Sequence, residues 1–240
     1  MFPQERERER ELFDSLKQSE IANIVTKGLN PNVKMKDSGI PWIGEIPEHW
    51  EMRRIKYIFT EIKEKSTTGE ELPLSLGKET GLIPSSEKKN KTMESDSYVG
   101  CKIVKKGDVV FNRFKARLFA ISSYNGVVSP DYAVYKCNKS VNSKYIVTLL
   151  GTDMYKAAFD RKASGIGDGF SRLYTEDLFA FYAIFPPLSE QQAIVAYIDE
   201  KLQKIDQYMT DLQREIDYLK EFKQRLISDA VTGQLCITKQ

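Results

Sequence analysis

The chain contains one histidine, His49, in 240 residues. Metal sites made of several histidines are thereby excluded within a single chain, and a triad built on a histidine base would have to use His49, which lies in the turn-rich segment around Trp42 and Trp50. Cysteine is almost as scarce. Cys101, Cys137 and Cys236 are odd in number, far apart and outside any C-x-x-C pair, so neither a disulfide framework nor a zinc site is expected. A reducing cytoplasm suits that usage. No apolar run approaches the roughly 18 residues of a membrane span. The N-terminus alternates glutamate and arginine from Glu5 to Glu11, the opposite of a signal peptide's apolar core, so a cytoplasmic protein with no membrane partner is expected. There is no G-x-x-x-x-G-K-S/T loop for nucleotide phosphates. Also missing is the tetrapeptide of Asn or Asp, two prolines and an aromatic with which adenine methyltransferases hold their target base. The glycines of Gly165-Ile166-Gly167-Asp168-Gly169 do not complete G-x-G-x-x-G, and no apolar strand leads into them, so they read as a flexible loop.

What is present is a soluble composition, 41% hydrophobic and 29% charged, sufficient for one sizeable packed domain with an appendage. The net charge of +2 is unevenly spread. Residues 1–33 hold 5 basic and 6 acidic groups, residues 34–187 hold 24 and 19, and residues 188–240 hold 7 and 9. The basic middle suits a polyanionic partner, although many solvated surfaces carry a similar excess.

Pro186 and Pro187 stop whatever precedes them, and Ser189-Glu190-Gln191-Gln192 reads as an S-x-x-Q capping box that starts a helix. From there apolar residues step by four and three: Ile198, Leu202, Ile205, Met209, Leu212, Ile216, Leu219 and, after a lysine, Leu226. That is a coiled-coil seam of about four heptads, which needs a partner; the competing reading is one amphipathic helix lying on its own domain. Gly233 is a natural stop, so the helix is expected over about 189 to 232. The segment 34–187 reads as mixed α and β, with strand-like runs at 55–60, 108–112, 118–123, 131–136 and 180–185. Asn142 is placed to cap a helix through Tyr145, Ile146, Leu149 and Leu150 that extends to about Lys162. A short echo links the two ends: Ile24-Val25-Thr26-Lys27-Gly28-Leu29 is similar to Ala230-Val231-Thr232-Gly233-Gln234-Leu235, each after a helix-like stretch.

Three stretches together resemble the specificity subunits of type I restriction-modification systems. The first is the opening segment Gly39-Ile40-Pro41-Trp42-Ile43-Gly44-Glu45-Ile46-Pro47-Glu48-His49-Trp50-Glu51. The second is Phe185-Pro186-Pro187-Leu188-Ser189-Glu190-Gln191-Gln192-Ala193-Ile194-Val195. The third is Arg225-Leu226-Ile227-Ser228-Asp229-Ala230-Val231-Thr232-Gly233. The resemblance covers roughly residues 20 to 236, and it implies an α+β protein: a helical segment at 1–33, a target-recognition domain at 34–187 and a long spacer and dimerisation helix at 188–240. It further implies a non-catalytic subunit that reads double-stranded DNA. Adenine methylation then belongs to methyltransferase subunits using S-adenosylmethionine, and cleavage to restriction subunits using ATP and Mg, with no cofactor or metal bound by this chain. Family members typically carry two recognition domains and two antiparallel helices, whereas this chain has one domain and one complete helix. Two copies are therefore expected to pair, antiparallel, through the seam from Ile198 to Leu226.

Candidate DNA contacts follow from charge. Lys102, Lys105, Lys106, Arg113, Lys115 and Arg117 fall within 16 residues that include a single acid, Asp108. Strand alternation would put Arg113, Lys115 and Arg117 on one face. Lys88, Lys89 and Lys91 form a second cluster, and Ser164, Ser171, Arg172 and Tyr174 surround the glycine loop. Lysines neutralise phosphates, arginines also grip guanine edges, and small residues allow close approach; the plainer reading of each is a solvated surface group. Trp42 and Trp50, flanked by turns, read as packing anchors. Two alternatives stand beside DNA recognition. One is a Mg-dependent nuclease using Asp131 and Glu221, of which the second lies on the seam helix; the other is a structural coiled-coil protein.

Overall fold

The computed structural model describes residues 3–77, 80–88, 97–114, 117–166 and 170–233. Helix α1 (Pro3–Lys27) is followed by β1 (Met35–Asp37), β2 (Glu45–Pro47), β3 (Glu51–Arg54) and β4 (Phe59–Ile62). Then come β5 (Leu74–Gly77), β6 (Gly81–Pro84), β7 (Lys102–Val104), β8 (Val109–Asn112), β9 (Phe119–Ile121), β10 (Gly126–Val128) and β11 (Tyr132–Cys137). Helices α2 (Ser143–Leu150) and α3 (Asp153–Lys162), strands β12 (Ser164–Ile166) and β13 (Phe170–Arg172), α4 (Thr175–Ala180), β14 (Tyr182–Phe185) and α5 (Leu188–Val231) complete the chain. The fold is thus mixed α and β with a long C-terminal helix, divided into two compact units: residues 22–195, and residues 1–21 with 196–240.

In the unit of 22–195 a four-stranded antiparallel sheet runs in the order β4-β11-β8-β9. Val109, Val110 and Phe111 of β8 are all fully buried, so this strand is covered on both faces, as a run of β-branched and aromatic residues without a polar interruption requires. On one face Val110, Val134 and Ala120 pack with Leu74, Leu76, Leu82, Val104 and Val128. On the other Phe111 stacks on Phe119 at 4.2 Å and Phe59 on Tyr135 at 5.2 Å, with Phe159 of α3 following at 6.2 Å from Phe119.

Several local readings hold. Asn142 caps α2, its side-chain oxygen accepting from the backbone N–H of Lys144 and Tyr145. Trp42 meets Tyr155 edge-on at 5.0 Å, and buried Trp50 donates from Nε1 to Glu190 at 2.9 Å, so both tryptophans are packing anchors. Others are corrected. The run at 55–60 opens with a 3-10 turn, Ile55–Tyr57, before β4, and the run at 180–185 begins as the end of α4. The helix begun at Ser143 ends at Gly151 and restarts at Asp153, because the backbone turns extended at Thr152 (ψ 152°), whose N–H falls back to Leu149 O at 3.1 Å. The capping box does not form, since Pro187 offers its carbonyl to the N–H groups of Glu190 and Gln191 and α5 starts one residue before Ser189. Buried Gln191 instead donates to Pro186 O at 2.9 Å and accepts from the Asn142 N–H at 2.8 Å, fastening the helix start to α2.

In the second unit α1 and α5 run antiparallel. Glu20 meets Lys201 at 3.5 Å, Lys17 meets Asp206 at 2.8 Å, Phe13 packs on Tyr208 at 4.9 Å, and Tyr208 donates to Glu9 at 3.0 Å. This corrects the idea of an open seam. Ile198, Leu212 and Ile216 are buried, Leu202, Ile205, Met209 and Leu219 are half-buried, and only Leu226 of the eight is exposed. The physical reason is length: the helical segment expected within 1–33 forms a single helix of 25 residues, about 37 Å at 1.5 Å per residue, long enough to cover most of the seam from within the chain. Past Leu219, α5 leaves Phe222, Leu226, Ile227 and Val231 exposed.

Candidate nucleic-acid interface

Strand β4 continues extended past Ile62, and Lys65 pairs with Lys102 of β7 in an isolated antiparallel bridge. Alternation along such a segment brings Glu61, Lys63 and Lys65 to one face. That face forms one wall of a groove of about 320 Å³, completed by Lys102, Arg113, and Tyr174, Thr175 and Glu176 at the start of α4. Four cations against two carboxylates make it basic. Lys63, Lys65 and Tyr174 are exposed, whereas Lys102 and Arg113 form the floor.

The floor is a polar network. Arg113 Nη2 donates to Glu61 Oε1 at 2.8 Å and to Thr175 Oγ1 at 3.0 Å; Lys102 Nζ lies 3.9 Å from the same carboxylate oxygen. The Tyr135 hydroxyl reaches Thr175 Oγ1 at 3.1 Å. Burial, and next the Arg113 guanidinium, push the Lys102 amine below the ordinary lysine range, against the opposing pull of Glu61. Burial likewise raises the Tyr135 hydroxyl well above its ordinary range, keeping it a neutral donor. Beside the groove, Arg172 pairs with Asp131 at 3.2 Å and lies 5.3 Å from the Phe114 ring and 5.6 Å from the Tyr174 ring. The buried Nε atoms of Arg113 and Arg172 have no hydrogen-bond partner among the described residues.

The structure separates the residues singled out by charge density. Strand β8 ends at Asn112, whose side-chain oxygen takes the Phe114 N–H at 2.9 Å, so Arg113 and Arg117 lie in a loop and not on one strand face as expected. Arg117 is bent into a left-handed backbone, φ +44°, and its side chain is 1% exposed. It pairs with Asp160 at 3.2 Å, donates to Arg113 O, and gives its other nitrogen to Ser171 Oγ at 2.9 Å. In this conformation Arg117 and Ser171 pin the β12–β13 hairpin to the loop instead of facing outward. Arg113 belongs to the groove floor. Arg172 and Tyr174 border the groove, and Ser164 pairs with Arg172 across the hairpin. Lys88 is half-buried after a 3-10 turn, Ser85–Glu87, outside the groove lining. Lys89, Lys91 and Lys115 lie outside the described residues. Sequence reasoning missed Glu61, Lys63, Lys65 and Thr175, and did not place Lys102 with them. The signal was the alternation Glu61-x-Lys63-x-Lys65 running out of a strand.

The carboxylates of the nuclease alternative are each held by an arginine, Asp131 by Arg172 and Glu221 by Arg225 one turn along α5. Among the described residues no group of three or more His, Cys, Asp or Glu side chains could hold a metal ion, and no helix is long and apolar enough to cross a membrane.

Residues 47–218 match the family described as type I restriction modification DNA specificity domain. No curated protein matches the sequence. Among solved structures, a chain from a study of complex assembly and conformational transition of the type I R-M system is 18% identical, with a TM-score of 0.62 over 95% of this chain and 53% of that one. The HsdS subunit from Thermoanaerobacter tengcongensis is 19% identical, with a TM-score of 0.51 over 97% of this chain and 54% of that one. The chain spans about half the length of the solved chains it matches, and shares their fold.

Proposed function

The chain belongs to the type I restriction modification DNA specificity domain family, and we propose that it reads one half of a split double-stranded DNA site through the groove between β4, β7 and α4. The observation that carries the reading is the placement of Lys63 and Lys65, exposed at the rim of a groove whose floor is already electrostatically ordered. Lysines on such a rim neutralise phosphates and release counterions. Tyr174, exposed beside Arg172, offers a ring and a hydroxyl to a base edge or sugar. Two copies pair antiparallel through the part of α5 past Leu219, where Phe222, Leu226, Ile227 and Val231 stay exposed, so that two domains read the halves of an inverted repeat. Methyltransferase and restriction subunits supply the chemistry, with S-adenosylmethionine, ATP and Mg bound by them.

Replacing Lys63 and Lys65 together by alanine is expected to reduce the slope of log affinity against log salt by about 2, since each neutralised phosphate contributes about 0.9. Because both are surface side chains, the unfolding midpoint should stay put. Duplex titrations from low to physiological salt check this, and an unchanged slope removes the two lysines from the interface. Purified chain with Mg and plasmid is expected neither to nick nor to methylate DNA. Nicking abolished by Asp131→Ala would assign chemistry to the chain itself. Sequencing of modified bases in cells carrying the chain with its methyltransferase subunit is expected to show a split, inverted-repeat motif.

A further inference from the structure

The last turns of α1 and α5 carry related sequences, identical at three of seven positions, in opposite surroundings. Ile21, Val25 and Thr26 correspond to Ile227, Val231 and Thr232. The two helix ends share local structure as well. Thr26 Oγ1 donates to Ala22 O at 2.7 Å and Thr232 Oγ1 to Ser228 O at 2.8 Å, and a glycine with positive φ follows each helix, Gly28 at +82° and Gly233 at +74°. Their environments differ. Val25 is fully buried and its carbonyl accepts from the buried Tyr145 hydroxyl at 3.0 Å. A Cβ added to Gly28 would meet the Trp50 ring at 3.1 Å. Val231 is 81% exposed and Ile227 47%.

We infer that the terminal turn of α5 is a second plug for the Trp50–Tyr145 socket, entering the socket of another copy of this chain when that copy's own Ala22–Gly28 turn leaves it. The socket grips its occupant through an apolar valine, a backbone carbonyl and a close-packed glycine turn. The first two are available from Val231, and the third from Gly233, one position earlier than in α1. The occupant is a second copy because this socket, on this chain, already holds a turn whose isoleucine, valine and threonine α5 repeats at the same spacing. The inference rests on the pairing reading above and adds to it an exchange of helix ends.

Light scattering and sedimentation across a concentration series, with hydrogen exchange, test it on the full chain. Among the described residues Val231 is 81% exposed and packs on little, so Val231→Asp is expected to leave helical content unchanged while weakening pairing by about tenfold or more. On pairing, amides at 22–28 should lose protection while those at 227–233 gain it, and Val231→Asp should suppress both changes. A parent that pairs while Val231→Asp pairs equally tightly overturns the plug but leaves the pairing. A parent that stays monomeric at every concentration overturns both.

Discussion

Removing the Glu61 carboxylate is expected to cost the globular unit about 3–5 kcal/mol, the size of effect seen when one partner of a buried ion pair is deleted. Three charged side chains converge here: Glu61 is 14% exposed, Arg113 13% and Lys102 10%. In Glu61→Ala the two cations lose the carboxylate that both of them meet, and Thr175 loses a partner at 3.1 Å. Glu61→Gln keeps an acceptor for Arg113 and Thr175 and should cost less. The pH dependence has a definite sign. Because the folded state already depresses the Lys102 pKa below 10.5, the unfolded chain holds that proton more tightly, and stability rises with pH between the folded value and 10.5. Without Glu61 the folded value falls further and the window opens downward. The Glu61→Ala penalty should therefore shrink as pH is raised towards about 10. Urea unfolding at two pH values checks both statements, and a Glu61→Ala variant within about 1 kcal/mol of the parent at neutral pH overturns the account.

The same network explains what the sequence could reveal. Periodicity and punctuation are local, so α5, its glycine stop, the Asn142 cap and the packing role of the tryptophans were legible. The groove was not, because Glu61, Lys63 and Lys65 stand about 40 residues before Lys102 and more than 100 before Thr175; only strand pairing joins them. Charge density pointed instead to Arg113 and Arg117, whose guanidinium groups are consumed by Glu61, Asp160 and Ser171. Density on a chain does not say which way a side chain turns. Nor did α1 announce that it packs along α5, since Glu5 to Glu11 is a run of alternating charge with no apolar stripe to mark a packing face. That omission inflated the exposed seam of α5.

Aspartate at both Leu212 and Ile216 is expected to dissolve the helical unit and any pairing that depends on it, while the unit of 22–195 stays folded. Leu212 is 3% exposed and Ile216 1%, and they sit four residues apart on one face of α5. Each apolar side chain contributes about 1.5–3 kcal/mol on full burial. Replacing both forfeits that and adds two carboxylates to an interior that cannot solvate them. A two-helix unit has few other resources: its ion pairs, Glu20 with Lys201 and Lys17 with Asp206, involve partly exposed groups, and such pairs are worth about 1 kcal/mol or less. The globular unit, by contrast, has its own sheet and aromatic core, so its unfolding transition should survive. Circular dichroism should lose helical signal, light scattering should report a single copy, and binding to a split site should fall to that of one isolated domain. A double variant that keeps the parent's helicity and its pairing would show that Leu212 and Ile216 are not what holds these helices together.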